Sequence, residues 1–163
     1  MTASDVPRDG TEPHAPAGLD TSRLDHLVGY AASRAAIRLK ATFAQHMAPL
    51  DLKIVEFSIL MLVAQNPRVN QKQLGHALGI SPPNMAVTLD RMVERGWVER
   101  VRSMKDRRAQ NINLTAAGAQ LVQRAEKIAA TMEAPSLAML SAAERALLIE
   151  LLHKVASGKA AKR

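Results

Sequence analysis

The order of local signals across residues 70–114 constrains the fold more than any other feature of the chain. A short helix is predicted over 71–77, where an asparagine caps its start, and Gly79 then supplies a turn. Ser81 followed by proline is a typical helix start and predicts a second helix over 82–95. This helix carries one apolar stripe, spaced i, i+4, i+7 and i+8, which consists of Met85, Leu89, Met92 and Val93.

The pattern changes from helical to alternating directly after this helix. Residues 97–102 and 109–114 alternate apolar and polar side chains as strands do, and a polar turn, 103–108, separates them. This predicts a β-hairpin with a basic tip. Short helix, glycine turn, capped helix and hairpin together predict a winged helix-turn-helix, so the fold class is mainly α with a small β-hairpin wing.

Further helices are predicted on both sides of this motif, over 20–47, 53–65, 116–133 and 141–157. A capping box opens the last helix, which is expected to bury Leu147, Leu148, Leu151, Leu152 and Val155. The N- and C-terminal helices are amphipathic but have little partner surface within one chain. We therefore expect them to form a dimerisation domain.

The predicted organisation has a DNA-binding region in the middle of the chain. Residues 52–115 form the winged helix-turn-helix, while 19–48 and 116–157 form the helical dimerisation region. The proline- and glycine-containing residues 1–18 are predicted to be a disordered tail, and 158–163 a basic tail.

The charge of the chain favours a polyanionic partner, because the formal net charge is +7. In a helix-turn-helix, residues near the start of the second helix reach base edges in the major groove. Asn84 and Arg91 can form paired hydrogen bonds with bases. Val87 can contact a thymine methyl group, and Thr88 can contact a base or a phosphate. The candidate DNA-binding residues of the motif are Gln71, Ser81, Pro83, Asn84, Val87, Thr88 and Arg91; the alternative is an ordinary solvated surface.

The hairpin adds a second candidate DNA contact, since residues 99–108 hold five basic and two acidic side chains. An arginine at a hairpin tip is suited to a narrow, A·T-rich minor groove. An aspartate there would repel phosphate, so we expect Asp106 to hold an arginine by a charge-assisted pair. The candidates in the wing are Arg102, Lys105, Asp106, Arg107 and Arg108. The alternative is a solvated charged turn.

Several segments of the sequence are characteristic of one protein family: 79–81, 89–100, 114–118, and 140–145 at the start of the last helix. The wing sequence Asp106-Arg107-Arg108 is the most specific of these segments. Together they resemble the MarR family of bacterial regulators over about residues 20–157. The resemblance implies a homodimer with interlocking terminal helices. It also implies that Arg108 enters the minor groove and that a small ligand or an oxidant releases the DNA. Trp97 departs from the family, which usually has a smaller aliphatic residue there.

Two arginines interrupt the apolar stripe of the first helix, Arg34 and Arg38, one turn apart. They can receive the carboxylate or phosphate of an effector; alternatively they pair with acids of the other subunit, or extend to solvent. Residues 27–30 followed by Arg34, together with 57–60 and Asn66-Pro67, resemble a MarR subgroup that controls degradation of aromatic acids. That resemblance implies an anionic aromatic effector, either the free acid or its CoA thioester. The candidate ligand-binding residues are Tyr30, Arg34, Arg38, His46, Phe57 and Met61. The alternative for Tyr30, His46, Phe57 and Met61 is that they are ordinary core side chains.

The sequence also argues against several classes of function. The chain has no cysteine and its five histidines are far apart, so we expect no metal site, no cofactor and no thiol-based sensing. No nucleophile–base set or phosphate-binding loop indicates an enzyme. No apolar run is long enough for a membrane and no signal peptide is evident, which predicts a cytoplasmic protein. The remaining rival is an architectural DNA-binding protein without an effector.

Overall fold

The structure is a computed structural model that describes residues 19–102 and 110–158. Its helices are α1 (Val28–Met47), α2 (Ile54–Gln65), α3 (Gln71–Leu78), α4 (Pro82–Glu94), α5 (Ala116–Met132) and α6 (Ala142–Ser157), with a 3₁₀ helix, Ala48–Leu50, between α1 and α2. The strands are β1 (Val98–Arg102) and β2 (Gln110–Leu114), which pair antiparallel. The predicted fold class, mainly α with a β-hairpin wing, is confirmed.

The chain divides into two compact units, one ending at Ala35 and one beginning at Ala36. The second unit holds the hydrophobic core. The end of α1, helices α2 to α5 and the hairpin meet there, around apolar side chains with at most 1% exposure: Met47, Ile59, Leu60, Leu74, Met85, Leu89, Met92, Val98, Ile112 and Ala125. The stripe predicted on α4 is therefore its buried face, except that Val93 is 37% exposed.

Three of the predicted helices begin with a side-chain cap, among them the predicted caps of α3 and α6. Asn70 and Gln73 form a capping box at α3, Thr115 accepts from the backbone N–H of Gly118 at α5, and Ser141 forms a capping box with Glu144 at α6. At α4, Ser81 makes no side-chain cap bond. The start of α4 therefore depends on the prolines that follow, whose φ suits a helix and whose missing N–H needs no partner.

The predicted helix over 20–47 begins later than expected, at Val28. The Asp20 side chain accepts a hydrogen bond from the backbone N–H of Ser22 at 2.9 Å, and the Thr21 hydroxyl donates to the Asp25 carboxylate at 3.1 Å. Such local side-chain bonds compete with helix formation, and residues 22–26 form turns instead.

The predicted burial within α6 is wrong for the single chain, in which no residue of this helix is buried. The five side chains expected in its core are 39–70% exposed: Leu147, Leu148, Leu151, Leu152 and Val155. The helix forms where the capping box predicts, but the described part of the chain leaves these five apolar side chains partly exposed.

Three predictions fall on parts of the chain outside the described residues: the disordered tail over 1–18, the wing turn with Ala109, and the basic tail beyond Gly158. Within the described ranges, no helix is long and apolar enough to cross a membrane. The same ranges contain no cluster of three or more histidine, aspartate or glutamate side chains that could hold a metal ion.

Candidate nucleic-acid interface

Two glycines set the turn between α3 and α4. Gly79 has φ of 63°, a left-handed conformation that favours glycine. Gly75 lies where α3 approaches the turn: the N–H of Ile80 donates to its carbonyl at 2.9 Å, and a Cβ there would lie 3.1 Å from the Ile80 carbonyl oxygen. Gly79 was predicted from the sequence and Gly75 was not, although a glycine inside a short helix is a signal of close packing.

The outward face of α4 carries the residues predicted to read DNA. Ser81, Pro83 and Asn84 are exposed, and Val87 is 64% exposed. Thr88 is half-buried and its hydroxyl donates to the Asn84 carbonyl at 2.8 Å, which leaves the hydroxyl oxygen free to accept. The structure therefore brings these five side chains to one surface, because the opposite stripe of α4 is packed in the core.

Gln71, at the start of α3, lies next to this surface. Its side-chain Nε2 donates a long hydrogen bond, 3.5 Å, to the carbonyl of Pro82 in the first turn of α4. The starts of the two helices of the motif are thus side by side, which is the arrangement the prediction requires.

Arg91 differs from the other predicted base readers because it already has a partner. Its Nε donates to Oε1 of Glu56 at 2.9 Å, and Glu56 is fully buried. The Arg91 side chain retains 40% exposure. Sequence reasoning missed Glu56, since this acidic residue on an apolar helix is 35 positions away in the chain.

The wing is attached to both helices of the motif. Arg100 on β1 forms an ion pair with Asp90 of α4, with 2.6 Å between Nη1 and Oδ1. On β2, the N–H of the buried Ile112 donates to the Val69 carbonyl at 2.8 Å, and a β-bridge joins Asn70 to Asn111. The hairpin therefore projects from a fixed base beside α3 and α4.

Only one predicted DNA-binding residue of the wing lies in the described residues. Arg102 is exposed at the end of β1, opposite Gln110. In the strand alternation it lies on the same side as Val98 and Arg100. The tip residues Lys105, Asp106, Arg107 and Arg108 lie outside the described residues.

Comparisons with known proteins agree with this geometry. Residues 52–109 match the model of the MarR family. The solved structure of the transcriptional repressor CouR bound to a 23-mer DNA duplex is 36% identical, covers 85% of this chain and 99% of its own, and has a TM-score of 0.81. CouR bound to p-coumaroyl-CoA is 34% identical over 85% of this chain and 98% of its own, with a TM-score of 0.78. The HTH-type transcriptional repressor Rv2887 of Mycobacterium tuberculosis (strain ATCC 25618 / H37Rv) is 29% identical over 133 residues, 82% of this chain and 96% of its own length.

The chain belongs to the MarR family. The predicted family and the predicted class of function, a DNA-binding transcription regulator with a winged helix-turn-helix, are thereby confirmed.

Trp97, the position that departs from the usual MarR residue, lies under an arginine. The Arg95 guanidinium carbon is 3.8 Å from the centroid of the Trp97 ring, a cation–π distance. The same guanidinium contacts Asp51, with 2.8 Å between Nη2 and Oδ2 and 3.0 Å between Nη1 and the Asp51 carbonyl. Neither contact was predicted from the sequence.

The candidate effector residues of this MarR protein fall in both compact units. In the first unit, Nη1 of Arg34 donates a long hydrogen bond, 3.5 Å, to the Tyr30 hydroxyl, and the guanidinium lies 5.9 Å from the ring centroid. Arg34 is exposed and Tyr30 is half-buried. Two of the candidate ligand-binding residues, Arg34 and Tyr30, are therefore close together.

The remaining candidates lie in the second unit. Arg38 is exposed, and His46 is exposed with Nδ1 at 2.9 Å from the Thr42 carbonyl of the preceding turn. Phe57 and Met61 are partly buried against the hydrophobic core, and Phe57 meets Phe43 edge-on with 5.4 Å between ring centroids. These contacts are those of core side chains, the alternative that the sequence left open for Phe57 and Met61.

Proposed function

We propose that this protein is a homodimeric repressor whose operator binding is released by an aromatic carboxylate or its CoA thioester. The observation that carries the proposal is the outward face of α4. This face presents hydrogen-bonding and apolar groups beside a basic wing, on a fold shared with a repressor solved on DNA.

In this proposal, α4 enters the major groove. Asn84 binds a base edge with its amide, Val87 contacts a thymine methyl group and Thr88 accepts a hydrogen bond. Gln71 and Ser81 lie at the helix starts and are suited to phosphate contacts, which fix register without reading sequence.

The wing provides the second set of contacts. Arg108 enters the minor groove, as the family resemblance implies, while Lys105 and Arg102 bind phosphates. Asp106 holds an arginine of the tip by a charge-assisted pair, and Arg107 adds positive charge beside the DNA.

The exposed apolar side chains of α6 support a homodimer, since they would be a poor surface for a monomer. A cleft of about 270 Å³ lies beside them and is lined by Leu39 of α1, by α5 and by α6. At its edge, Nε of Arg145 is buried and has no hydrogen-bond partner among the described residues. We expect the partner subunit to cover the apolar face and to supply an acceptor to Arg145.

The effector part of the proposal depends on the α1 arginines and on the likeness to CouR, which has been solved with p-coumaroyl-CoA. Arg34 and Arg38 would bind the carboxylate or the phosphates of such a ligand, and Tyr30 and His46 would contact its aromatic part. An affinity difference of about 1–3 kcal/mol between DNA-competent and DNA-incompetent states is enough for release, because two recognition helices must sit one DNA turn apart.

The DNA part is tested by selecting duplexes from a random library with the full chain and measuring affinity by fluorescence anisotropy. Arg108→Ala should weaken binding to the selected duplex by about 1–3 kcal/mol. Lys105→Ala, the matched control, should weaken binding less and almost equally on selected and scrambled duplexes. Unchanged affinity for Arg108→Ala at physiological salt would remove the wing from the mechanism. Selection that returns no preferred sequence would instead support an architectural protein.

A further inference from the structure

Arg91 of α4 and Arg95, the C-cap residue of the same helix, are both held by acidic residues that precede or begin α2. Arg91 Nε lies 2.9 Å from Glu56 Oε1. Arg95 Nη2 lies 2.8 Å from Asp51 Oδ2, and its Nη1 lies 3.0 Å from the Asp51 carbonyl. The C-terminal half of α4 is therefore attached at two points to one short stretch of chain, residues 51–56.

Glu56 uses both of its carboxylate oxygens. Oε1 accepts from Arg91, and Oε2 accepts at 2.9 Å from the backbone N–H of Lys53, the N-cap residue of α2. The residue is fully buried, and a carboxylate without water must have its charge compensated by such bonds. A single side chain thus fixes the first turn of α2 and the recognition helix at once.

Asp51 holds the second attachment from an unusual backbone conformation. It ends the 3₁₀ helix with φ of 47° and ψ of 47°, a left-handed geometry in which aspartate is among the few tolerated residues. In this conformation both its carbonyl and its carboxylate reach Arg95. The junction between α1 and α2, residues 48–53, is therefore bonded directly to α4.

We propose that Glu56 and Asp51 are positioning residues for DNA reading, which hold α4 on the α1–α2 junction through Arg91 and Arg95. In this assignment Arg91 anchors the helix instead of reading a base, because its Nε edge is committed to Glu56. The orientation of Asn84 and Thr88 in the groove then depends on residues that never touch DNA. The inference rests on the proposed operator binding and deepens it.

The test compares Glu56→Gln and Asp51→Asn with Glu94→Gln. Glu94 lies exposed on α4 and has no ion pair in the described part of the chain, so its variant removes the same charge without touching either attachment. Affinity is measured for the selected duplex and for a scrambled duplex of equal length and composition.

We expect Glu56→Gln to lower the affinity for the selected duplex about tenfold or more, which is the effect of one mismatched base pair. Its binding to the scrambled duplex should be unchanged or slightly stronger, because the protein has become more positive. Asp51→Asn should lower the affinity for the selected duplex by only about two- to fivefold, since the Asp51 carboxylate is largely exposed. Glu94→Gln should keep the ratio of the two affinities.

Thermal unfolding and sedimentation separate this role from simple loss of structure. If Glu56→Gln does not fold, Asp51→Asn, Arg95→Lys and their double variant decide the matter. Both single variants should lower the ratio of affinities, and the double variant should lose little more than either one. Folded variants with the wild-type ratio would overturn the proposal. The proposal would also be overturned if Arg91→Lys lost its sequence preference at a single base pair, because such a loss is expected of a residue that reads a base. If the wild-type chain itself selects no sequence, the proposed function fails instead.

Discussion

Replacing Gly118 by alanine tests how closely the wing and α5 are packed. A Cβ at this position would lie 1.9 Å from the Trp97 carbonyl oxygen, far below the 3.0 Å under which such contacts essentially never occur. Both atoms belong to backbone or are fixed to it, so no flexible side chain can turn away. The first turn of α5 and the chain before β1 must therefore separate by about an ångström.

The cost of this separation follows from the bonds at the contact. The N–H of Thr115 donates to the same Trp97 oxygen at 3.1 Å, and the Thr115 hydroxyl caps α5 through the Gly118 N–H at 3.0 Å. Weakening one such bond costs about 1 kcal/mol, and overpacking adds about 1–3 kcal/mol. Alanine has a higher helix propensity than glycine, which offsets up to about 1 kcal/mol of this cost. The expected net loss of unfolding free energy is about 1–3 kcal/mol.

Urea unfolding at one fixed protein concentration measures this loss. Trp97 is the single tryptophan of the chain and is 9% exposed, so its fluorescence reports on the same contact. Two other glycines give a graded comparison. Gly75→Ala, with its nearest atom at 3.1 Å, should cost less, and Gly29→Ala, with open space around its Cβ, should be neutral or stabilising. A Gly118→Ala variant with wild-type stability and unchanged Trp97 emission would refute the reasoning.

Three further predictions concern the effector, the pH dependence and the dimer. Arg34→Ala and Arg38→Ala should leave operator binding near normal but reduce release of the selected duplex by p-coumaroyl-CoA, with CoA alone as the control; loss of dimerisation or DNA binding without ligand would make these arginines structural. The backbone N–H of Ser141, together with its hydroxyl, lowers the pKa of Glu144 below its ordinary 4.5, so the capping box stabilises the fold above that pH and the effect is lost as the pH falls through the lowered pKa. Glu144→Gln, which removes the titrating carboxylate, should therefore flatten the acid limb of thermal stability, and an acid limb identical to the wild type would contradict the role of the box. Leu151→Asp should place a charge on the apolar face that the proposed dimer buries and give monomers at micromolar concentration in sedimentation, and an intact dimer would contradict the assignment of α6 to the interface.

Local signals predicted the part of the fold that depends on short stretches of sequence. The spacing of Met85, Leu89 and Met92 identified the buried face of α4, and with it the outward face that carries Asn84 and Val87. Helix propensity, caps and strand alternation act within a few residues, so they are readable without a structure.

Contacts between distant segments were not predictable in the same way. Arg91 looked like a base reader because its position on α4 faces outward, and only the tertiary structure shows a buried carboxylate 35 residues earlier beside its Nε. Gly118 looked like an ordinary family motif residue until the Trp97 carbonyl was seen against it. Charge and helical periodicity specify which side chains face out, but not which charged groups meet.

Because of the exposed apolar face of α6, the stability of the proposed dimer should depend on the concentration of the protein. In the proposed homodimer a second chain covers the apolar side chains of this 16-residue helix, and most of the stability of a helix in a protein comes from packing of its apolar face. On that basis the melting temperature rises with protein concentration. At low copy number, the concentration of assembled protein varies with the square of the concentration of single chains. A small change in synthesis or degradation then produces a larger change in operator occupancy, before any effector is present.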